Sequence, residues 1–296
     1  MNEISVVIPS YNSAATVGRT LEGLLSQRAC AAKSIIVVDS SDDGRTPAVL
    51  SAFEGRGVRV VRLSEKTIPA VGRNLGAQQA SGRYLAFIDS DAYPAPDWLE
   101  KISEAFAQGC RVGGGSLSLP DFQKRKMIAL AQYFLQFNEF LDTGIRRVKT
   151  FVPSCNLFCE KALFDDVGGF PEIRASEDVL FGLAAGQRTG VFFEPSIRIY
   201  HIFREDLGAY LRNQLMLGKY ILIYRRMHCG GWMYRGIVPV LLLPAFVALK
   251  FLRIVLRILA TGRPREIGGF LYSLPLFLLG LTYWGAGFFQ GCVSDV

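Results

Sequence analysis

The chain has 296 residues, 33 Lys plus Arg against 26 Asp plus Glu, and a formal net charge of +7. Half of the residues are hydrophobic and only 20% are charged, which excludes a disordered chain, and six cysteines in this length exclude a small disulfide-stabilised domain. The cysteines form no Cys-x-x-Cys pair, so the spacing of a structural zinc site or a dithiol redox site is lacking, and we expect them to be reduced.

The N-terminal third alternates short apolar runs with longer amphipathic stretches. The runs of strand length are Ile4 to Ile8, Ser34 to Val38, Val58 to Leu63 and Tyr84 to Ile88. The helical patterns between them are Ala14 to Ser26, Thr46 to Phe53 and Pro69 to Ala80. This alternation predicts an α/β domain in which a mostly parallel, Rossmann-like sheet carries helices on both faces.

Polar residues follow three of these strands, at the edge where parallel sheets bind their ligands. Tyr11 and Asn12 follow the first strand, Asp39 follows the second, and Asp89 begins the loop after the fourth. Turn chemistry alone also favours Asp, Ser and Gly in such loops, and for residues 42–44 both interpretations stay open. The convergence of three polar loops predicts a ligand site at this edge.

Asp89 and Asp91 directly follow a buried run, where two carboxylates repel each other unless a cation lies between them. Mg²⁺ or Mn²⁺, hard divalent ions with oxygen ligands, would meet that requirement. His201, which follows a later apolar run, is a candidate third ligand, although a buried histidine with satisfied hydrogen bonds is an equally good interpretation. The sequence therefore predicts a metal site that includes Asp91 and Asp89, with His201 as its third member.

Glu177 and Asp178 follow Ser176 at the start of a helical pattern. A carboxylate in this position can act as the general base for an attacking hydroxyl. The alternative is a structural helix start, with Ser176 as the N-cap and the two acidic residues favoured by the helix dipole. Both interpretations stay open on the residues alone.

Residues 127–141 contain three phenylalanines at intervals of three, after a short basic run. A helix packed on the sheet and an amphipathic helix that touches a membrane both fit this pattern. We expect a first domain at 1–205. The pattern of residues 206–235 then predicts an amphipathic connecting helix. Apolar residues then dominate the remaining segment, 236–296, which predicts a membrane region.

The membrane region has two parts. In 236–260, Lys250, Arg253 and Arg257 recur at helical spacing, which predicts a helix in the bilayer interface with its cations towards anionic headgroups. Residues 267–293 contain no charged residue and exceed the roughly 20 residues that cross a bilayer, which predicts a transmembrane helix. A hairpin of two spans is the alternative.

The charge distribution predicts how such a span is oriented. Arg263 and Arg265 would remain in the cytoplasm and Asp295 would lie outside, according to the positive-inside rule. The N-terminal sequence lacks the pattern of a signal peptide, so we expect the catalytic domain to be cytoplasmic and attached to the cell membrane. Gly287 and Gly291 form a Gly-x-x-x-Gly motif, which favours association of membrane helices into a homo-oligomer.

The ordered set of motifs resembles the family 2 glycosyltransferases of the GT-A fold, between Ile4 and Gly218. The matching segments are Val6 to Asn12, Val37 to Gly44, Gly72 to Gly76, Phe87 to Asp91, Pro153 to Asn156, Val167 to Glu172 and Ser176 to Leu180. The resemblance implies catalysis by Asp178 with Glu177 beside it, and Asp178 would be the base. It also implies donor-binding residues, which are Pro9, Tyr11, Asn12, Asp39, Arg73 and Asp89.

The resemblance implies an inverting, metal-dependent glycosyltransferase that uses a nucleotide-diphosphate sugar. The Gln-x-x-Arg-Trp motif of processive members has no counterpart at Gln214 to Gly218, which argues against polymer synthesis. The apolar tail predicts that the acceptor is lipid-linked or otherwise in a membrane. The net positive charge predicts contact with an anionic membrane surface. Because no nucleic-acid motif accompanies the charge, we do not expect a nucleic-acid partner. A membrane-tethered protein that binds nucleotide sugars without turnover is the alternative function.

Overall fold

The polypeptide forms one mixed β-sheet and a set of long C-terminal helices. The computed structural model describes residues 3–28, 30–228 and 231–293. In chain order the strands are β1 (Ile4–Ser10), β2 (Ser34–Asp39), β3 (Val58–Arg62), β4 (Tyr84–Ile88), β5 (Ala92–Pro94), β6 (Val112–Ser118), β7 (Arg147–Lys149), β8 (Asn156–Glu160) and β9 (Val191–His201). The helices are α1 (Val17–Leu25), α2 (Arg45–Glu54), α3 (Pro69–Gln79), α4 (Trp98–Ala107), α5 (Met127–Phe137), α6 (Lys161–Asp166), α7 (Glu177–Gly186), α8 (Leu207–His228), α9 (Val238–Leu241), α10 (Leu243–Ala260) and α11 (Pro264–Val293).

The chain divides into two compact units. The sheet unit consists of Met1–Ser118 and Asp142–His201, and the helical unit consists of Leu119–Leu141 and Ile202–Val296. The boundary after His201 lies close to the predicted domain boundary at 205. Unlike the prediction, however, Leu119–Leu141 belongs to the helical unit. The reason is apolar packing, because α5 shares a buried cluster with α10 and α11.

The sheet runs in the order β3-β2-β1-β4-β8-β6-β9-β5, and β7 pairs with β9. Parallel pairing joins β1 to β2, β1 to β4 and β2 to β3, as the sequence predicted for these strands. From β8 onwards the pairing becomes mixed, because β8 is antiparallel to both β4 and β6 while β6 and β9 are parallel. The predicted α/β sheet flanked by helices is therefore confirmed, and it is a mixed sheet.

The parallel strands are buried on both faces, which explains their nearly continuous apolar sequence. Residues 6–8 of β1 and 85–88 of β4 have no exposed surface at all. Helix α3 lies against β1 and β2 so closely that a Cβ on Gly76 would stand 2.3 Å from Val7 Cγ1. This close approach brings Arg73, on the same helix, to the carboxyl-end edge of the sheet.

In the helical unit, α8 and α11 lie side by side and run in the same direction. Tyr210, near the start of α8, donates a hydrogen bond to the carbonyl of Leu276 (3.1 Å). Arg226, near the end of α8, donates to the carbonyls of Gly291 (2.9 Å) and Cys292 (3.1 Å). The two helices therefore remain in contact over most of the length of α8.

Glycines allow this close contact between helices. A Cβ on Gly287 would lie 1.9 Å from the carbonyl oxygen of Leu215, and one on Gly218 would lie 2.0 Å from that of Trp284. A Cβ on Gly291 would stand 2.9 Å from the carbonyl oxygen of Lys219. The Gly-x-x-x-Gly motif thus packs against α8 of the same chain and gives no support to the predicted homo-oligomer.

We expect the Gly287→Ala substitution to destabilise the helical unit by about 1 to 3 kcal/mol, because the added methyl group overlaps a backbone carbonyl. Gly268→Ala is the matched control, since Gly268 lies in the same helix and has no atom within 4 Å of an added Cβ. Alanine there should stabilise the helix by up to about 1 kcal/mol. Thermal unfolding of the two variants in the same detergent would test this, and equal stabilities would contradict the close packing.

The segment 236–260, for which the sequence predicts one helix with a stripe of three cations, has a different internal structure. Two helices, α9 and α10, meet at Leu242 instead. Two of its three cations are directed into the helical unit, because Lys250 Nζ lies 4.8 Å from the ring centre of Trp284 and Arg257 pairs with Glu139 at 2.9 Å. Only the third cation of the predicted stripe, Arg253, is exposed.

Within the part of the chain that the structure describes, one helix, α11, is long and apolar enough to cross a membrane. That criterion concerns length and composition only, and a third of its most apolar window is buried inside the protein. Asp295, which the sequence prediction placed beyond the membrane, lies outside the described residues.

Candidate active site at the ends of β1, β2, β4 and β9

A buried arginine joins two of the acidic motifs that the sequence singled out. The side chain of Arg73 is only 3% exposed, and its Nη2 lies 2.5 Å from Asp89 Oδ1 while its Nη1 lies 2.9 Å from Glu177 Oε1. Burial alone would lower the pKa of Arg73, but the two carboxylates raise it above its usual value. Arg73 therefore stays charged and fixes Glu177 and Asp89 relative to each other.

Three potential metal ligands converge beside this ion pair. One ligand atom each from Asp89, Asp91 and His201 lies within 4.8 Å of the others, and His201 Nε2 is 3.5 Å from Asp91 Oδ1. The antiparallel pairing of β5 with β9 sets Ala92 opposite His201, which brings the end of β9 to the loop after β4. Two carboxylates and an imidazole are a donor set that suits Mn²⁺ or Mg²⁺.

Asp178 lies in the first turn of α7, next to the carboxylate held by Arg73. Burial, and after it the negative charge of Glu177, together raise the pKa of Asp178 to about 7 against the opposing effect of Arg73. The backbone N–H of Val179 donates to Asp178 Oδ1 at 2.8 Å. A carboxylate whose pKa lies near neutrality is well matched to proton abstraction from a hydroxyl.

The helix start itself differs from an ordinary N-cap. Ser176 has a left-handed backbone with φ of 73° and makes no side-chain capping hydrogen bond. A non-glycine residue in this region is strained, and such strain is common at functional sites. The capping role proposed for Ser176 is therefore wrong, whereas the two acidic residues do occupy the first turn of the helix.

The first two loops at the sheet edge are connected by hydrogen bonds. Asp42 accepts from the Tyr11 hydroxyl at 3.0 Å and from the Asn12 side-chain amide at 2.8 Å. These two donors hold the pKa of the Asp42 carboxyl below its usual value, with Asn12 contributing the larger effect. Asp39 is 2% exposed and accepts from the hydroxyl of Ser10 at 2.8 Å. Ser10 and Asp42 are thus site residues that the sequence analysis left without a role.

The structure brings the predicted residues together in two groups within the sheet unit. Arg73 links Glu177 to Asp89 of the ligand cluster, while Tyr11 and Asn12 stand around the loop after β2. Pro9 pairs with Val38 in the sheet and faces Gly72 of α3, whose Cβ would stand 3.3 Å from Pro9 Cβ. Pro9 therefore supports the start of the loop through its backbone and ring.

The family model described as glycosyl transferase family 2 matches residues 5–167, more than half of the chain. The chain belongs to this family. Two further observations agree with that membership, since the relatives found are glycosyltransferases and similar solved structures have the GT-A fold.

Curated relatives of this family 2 glycosyltransferase come from bacteria and archaea. The succinoglycan biosynthesis protein ExoO of Rhizobium meliloti is 31% identical over 226 residues, which is 71% of this chain and 64% of that protein. The pre-mycofactocin glycosyltransferase of Mycobacterium tuberculosis is 28% identical over 231 residues, 73% of this chain and 46% of that protein. The chain thus spans about half to two thirds of the length of these relatives.

Among solved structures, the mannosyltransferase PcManGT of Pyrobaculum calidifontis, in complex with GDP-Man and Mn²⁺, has a TM-score of 0.64 and 17% identity. The match covers 99% of this chain and 88% of that one. Residues 1–349 of S. aureus TarS with UDP-GlcNAc have a TM-score of 0.54 and 16% identity, covering 98% of this chain and 92% of TarS. At these identities the likeness concerns the fold.

Proposed function

We propose that this family 2 glycosyltransferase moves a sugar, with inversion, from a nucleotide-diphosphate donor to a hydroxyl or phosphate of a lipid-linked acceptor. The observation that carries the proposal is the buried Arg73, which links the ligand cluster through Asp89 to the Glu177-Asp178 pair. Donor binding and base catalysis both need fixed geometry, and this ion pair supplies it. GDP-Man and UDP-GlcNAc in the similar structures support a nucleotide-sugar donor.

In this proposal Tyr11 and Asp39 bind the nucleoside, and Asp89, Asp91 and His201 would hold Mg²⁺ or Mn²⁺. Such an ion, when bound, would supply positive charge to offset that of the departing nucleoside diphosphate. Asp178 accepts the proton of the attacking hydroxyl; an acceptor that is already an anionic phosphate would not need this step. Attack on the face opposite the diphosphate inverts the anomeric carbon.

The acceptor side of the proposal rests on the helical unit. Most of the exposed large apolar side chains of the described chain lie between Trp232 and Val293, in a protein with net charge +7. Exposed apolar surface of this extent is typical of membrane contact. The cytoplasmic leaflet carries negative surface potential, which favours attachment of the basic protein on that side of the cell membrane.

A nucleotide-sugar screen tests the donor half of the proposal. We expect one nucleotide sugar to raise the melting temperature in the presence of Mn²⁺, because a ligand that binds only the folded state stabilises it. The Asp91→Asn variant should weaken that metal-dependent binding by about 1 to 3 kcal/mol, as expected for the loss of a charged partner. Asp166→Asn, which changes an exposed carboxylate on α6, is the matched control.

Activity then separates an enzyme from a protein that binds without turnover. The selected donor, labelled in its sugar, is incubated with Mn²⁺ and a lipid extract from the source membranes. Label should enter the organic phase with the wild-type chain. Full donor affinity in excess EDTA would contradict the metal site, and binding without any transfer or hydrolysis would favour the non-catalytic alternative.

A further inference from the structure

Helix α8 bears on whether α11 crosses a membrane, because the two helices are in contact along the apolar part of α11. Tyr210 of α8 lies at the level of Leu276, and Arg226 lies at the level of Gly291 and Cys292. Between these points the Gly287 contact with Leu215 keeps the backbones together. Any depth that this half of α11 reaches in a bilayer is therefore reached by α8 as well.

The interior of a bilayer would be an unfavourable position for α8. Its charged side chains are distributed along its whole length, and they are Arg212, Lys219, Arg225 and Arg226. Arg212 is 76% exposed and follows two residues after Tyr210, which contacts the middle of α11. A charged side chain at the centre of a bilayer lowers insertion by about two orders of magnitude, so a span of α11 would carry a large penalty from its neighbour.

The outward faces of α10 and α11 have the opposite character. Along α10 the exposed leucines recur every three or four residues, which places them on one side of the helix; they are Leu249, Leu252, Leu256 and Leu259. Along α11 the exposed apolar residues are Leu271, Tyr272, Leu278, Leu279, Tyr283, Phe289 and Val293. Each helix thus has a protein-facing side and an apolar stripe that no described residue of the chain covers.

Exposed cations accompany these stripes. Arg253 lies within α10 and Arg265 lies at the start of α11, and both are exposed. Lipid headgroups of negative charge can pair with such residues while apolar side chains enter the acyl region below them. The combination of an apolar stripe with neighbouring arginines is complementary to one anionic leaflet.

We propose that α10 and α11 lie in the plane of a single leaflet, with their apolar stripes in the lipid, α8 on the aqueous side, and no crossing of the bilayer. This arrangement buries the leucines of α10 and α11 and leaves Arg212 and Lys219 in water. It rests on the membrane attachment proposed above and replaces the transmembrane helix that the apolar length of residues 267–293 predicts. It also keeps both ends of α11 on the side of the donor site.

Cysteine labelling from one side of a membrane distinguishes the two topologies. Arg265→Cys and Val293→Cys mark the two ends of α11, each in a full-length chain in which Cys30, Cys229 and Cys292 are replaced by Ser. Glu54→Cys, an exposed position on α2, reports the side of the sheet unit. Each variant is treated with a membrane-impermeant maleimide in intact cells and in inside-out vesicles, and donor-induced thermal stabilisation confirms that it is folded.

We expect all three cysteines to be labelled on the same side. Labelling of Val293→Cys only from the side opposite to Arg265→Cys would overturn the in-plane arrangement and establish a span. Recovery of the folded full-length protein in the soluble fraction would overturn membrane attachment altogether. Neither result depends on sugar transfer, which the lipid-extract assay measures separately, so failure of this inference and failure of the proposed function are distinguishable.

Binding to preformed vesicles tests the apolar stripe directly. The double variant Leu252→Ser and Leu256→Ser should lower partitioning of the full-length protein into vesicles of anionic and zwitterionic lipid by about tenfold or more, because two leucines no longer enter the lipid. Ile145→Ser is the control, since Ile145 is at least as accessible, at 63% exposure against 52% and 55% for the two leucines, but belongs to the sheet unit. Equal partitioning of both variants and the wild type would contradict the stripe as the membrane contact.

Discussion

Replacing Asp178 with Asn is expected to lower kcat by about 10²-fold or more while leaving donor binding nearly unchanged. The asparagine amide has the same shape as the carboxyl group, so the first turn of α7 and the ion pairs of the neighbouring Arg73 should be preserved. The amide cannot accept a proton. Single-turnover transfer of labelled sugar measures the rate, and donor-induced thermal stabilisation measures binding. Near-wild-type turnover in the folded variant would show that Asp178 is only a charge at the helix start.

The pH dependence of the wild-type reaction provides an independent check. The pKa of Asp178 is about 7 because burial and the charge of Glu177 disfavour the ionised form. The base is active only when deprotonated, so kcat should rise with pH through neutrality and level off above it. The Asp178→Asn variant should lack this rise of kcat with pH. If both proteins have the same pH profile, Asp178 is not the general base.

Although Asp178→Asn should lower the activity, we expect it to increase the stability of the fold at alkaline pH. A carboxyl group whose folded pKa lies above its unfolded value binds more protons in the folded state between those values, so its contribution to stability decreases as pH rises through that window. Asp178 therefore destabilises the fold above pH 7, and Asp178→Asn should raise the melting temperature at pH 8 relative to the wild type. Reduced activity together with increased stability is the signature of a site residue.

Replacing Arg73 with Met is expected to destabilise the sheet unit by about 3 to 5 kcal/mol. The arginine side chain is 3% exposed and pairs with two carboxylates, so its removal leaves Asp89 and Glu177 facing each other without a compensating charge. Donor affinity should fall as well, since Asp89 is a proposed metal ligand. Chemical denaturation of the wild type and the variant measures the free energy of unfolding.

A surface pair provides the matched control. Arg56 and Glu22 form an equally short ion pair at 2.6 Å, but their side chains are 46% and 56% exposed. Solvent screens such a pair, and Arg56→Met should change the free energy of unfolding by no more than about 1 kcal/mol. If the two methionine variants are equally stable, the buried ion pair has no special structural role.

The parallel half of the sheet was predictable from sequence because each strand carries its own signal. Continuous apolar runs bounded by Pro, Gly and Asp locate β1 to β4, and β4 begins and ends as predicted, at Tyr84 and Ile88. Tyr11, Asp39 and Asp89 lie at the ends of these strands or in the loops after them, so the sheet edge that carries the donor-site candidates could be predicted from sequence. Local patterns suffice where each element is positioned by its own residues.

Other features depend on contacts between distant parts of the chain. Arg73 and Glu177 are 104 residues apart in sequence, and neither residue alone indicates the pair. The strand β6 begins with Val-Gly-Gly-Gly, which carries little strand signal, although Gly115 approaches the carbonyl of Ile197 too closely to accept a side chain. The length and composition of α11 predict a span, but they do not reveal that the charged helix α8 packs beside it.

The packing of α5 with the C-terminal helices has a consequence during synthesis. Asn138, just after α5, accepts a hydrogen bond from Arg257, which lies 119 residues later in the chain. At ribosomal rates of about 5–20 residues per second, roughly 6–24 s pass between the emergence of the two partners. Phe137 can meet Phe203 earlier, but Phe134 of α5 lacks the Phe270 ring that packs against it until α11 has been made. A nascent chain in this state exposes apolar surface of the kind that chaperones bind, and under the proposed membrane attachment this surface would meet lipid before the last helices exist.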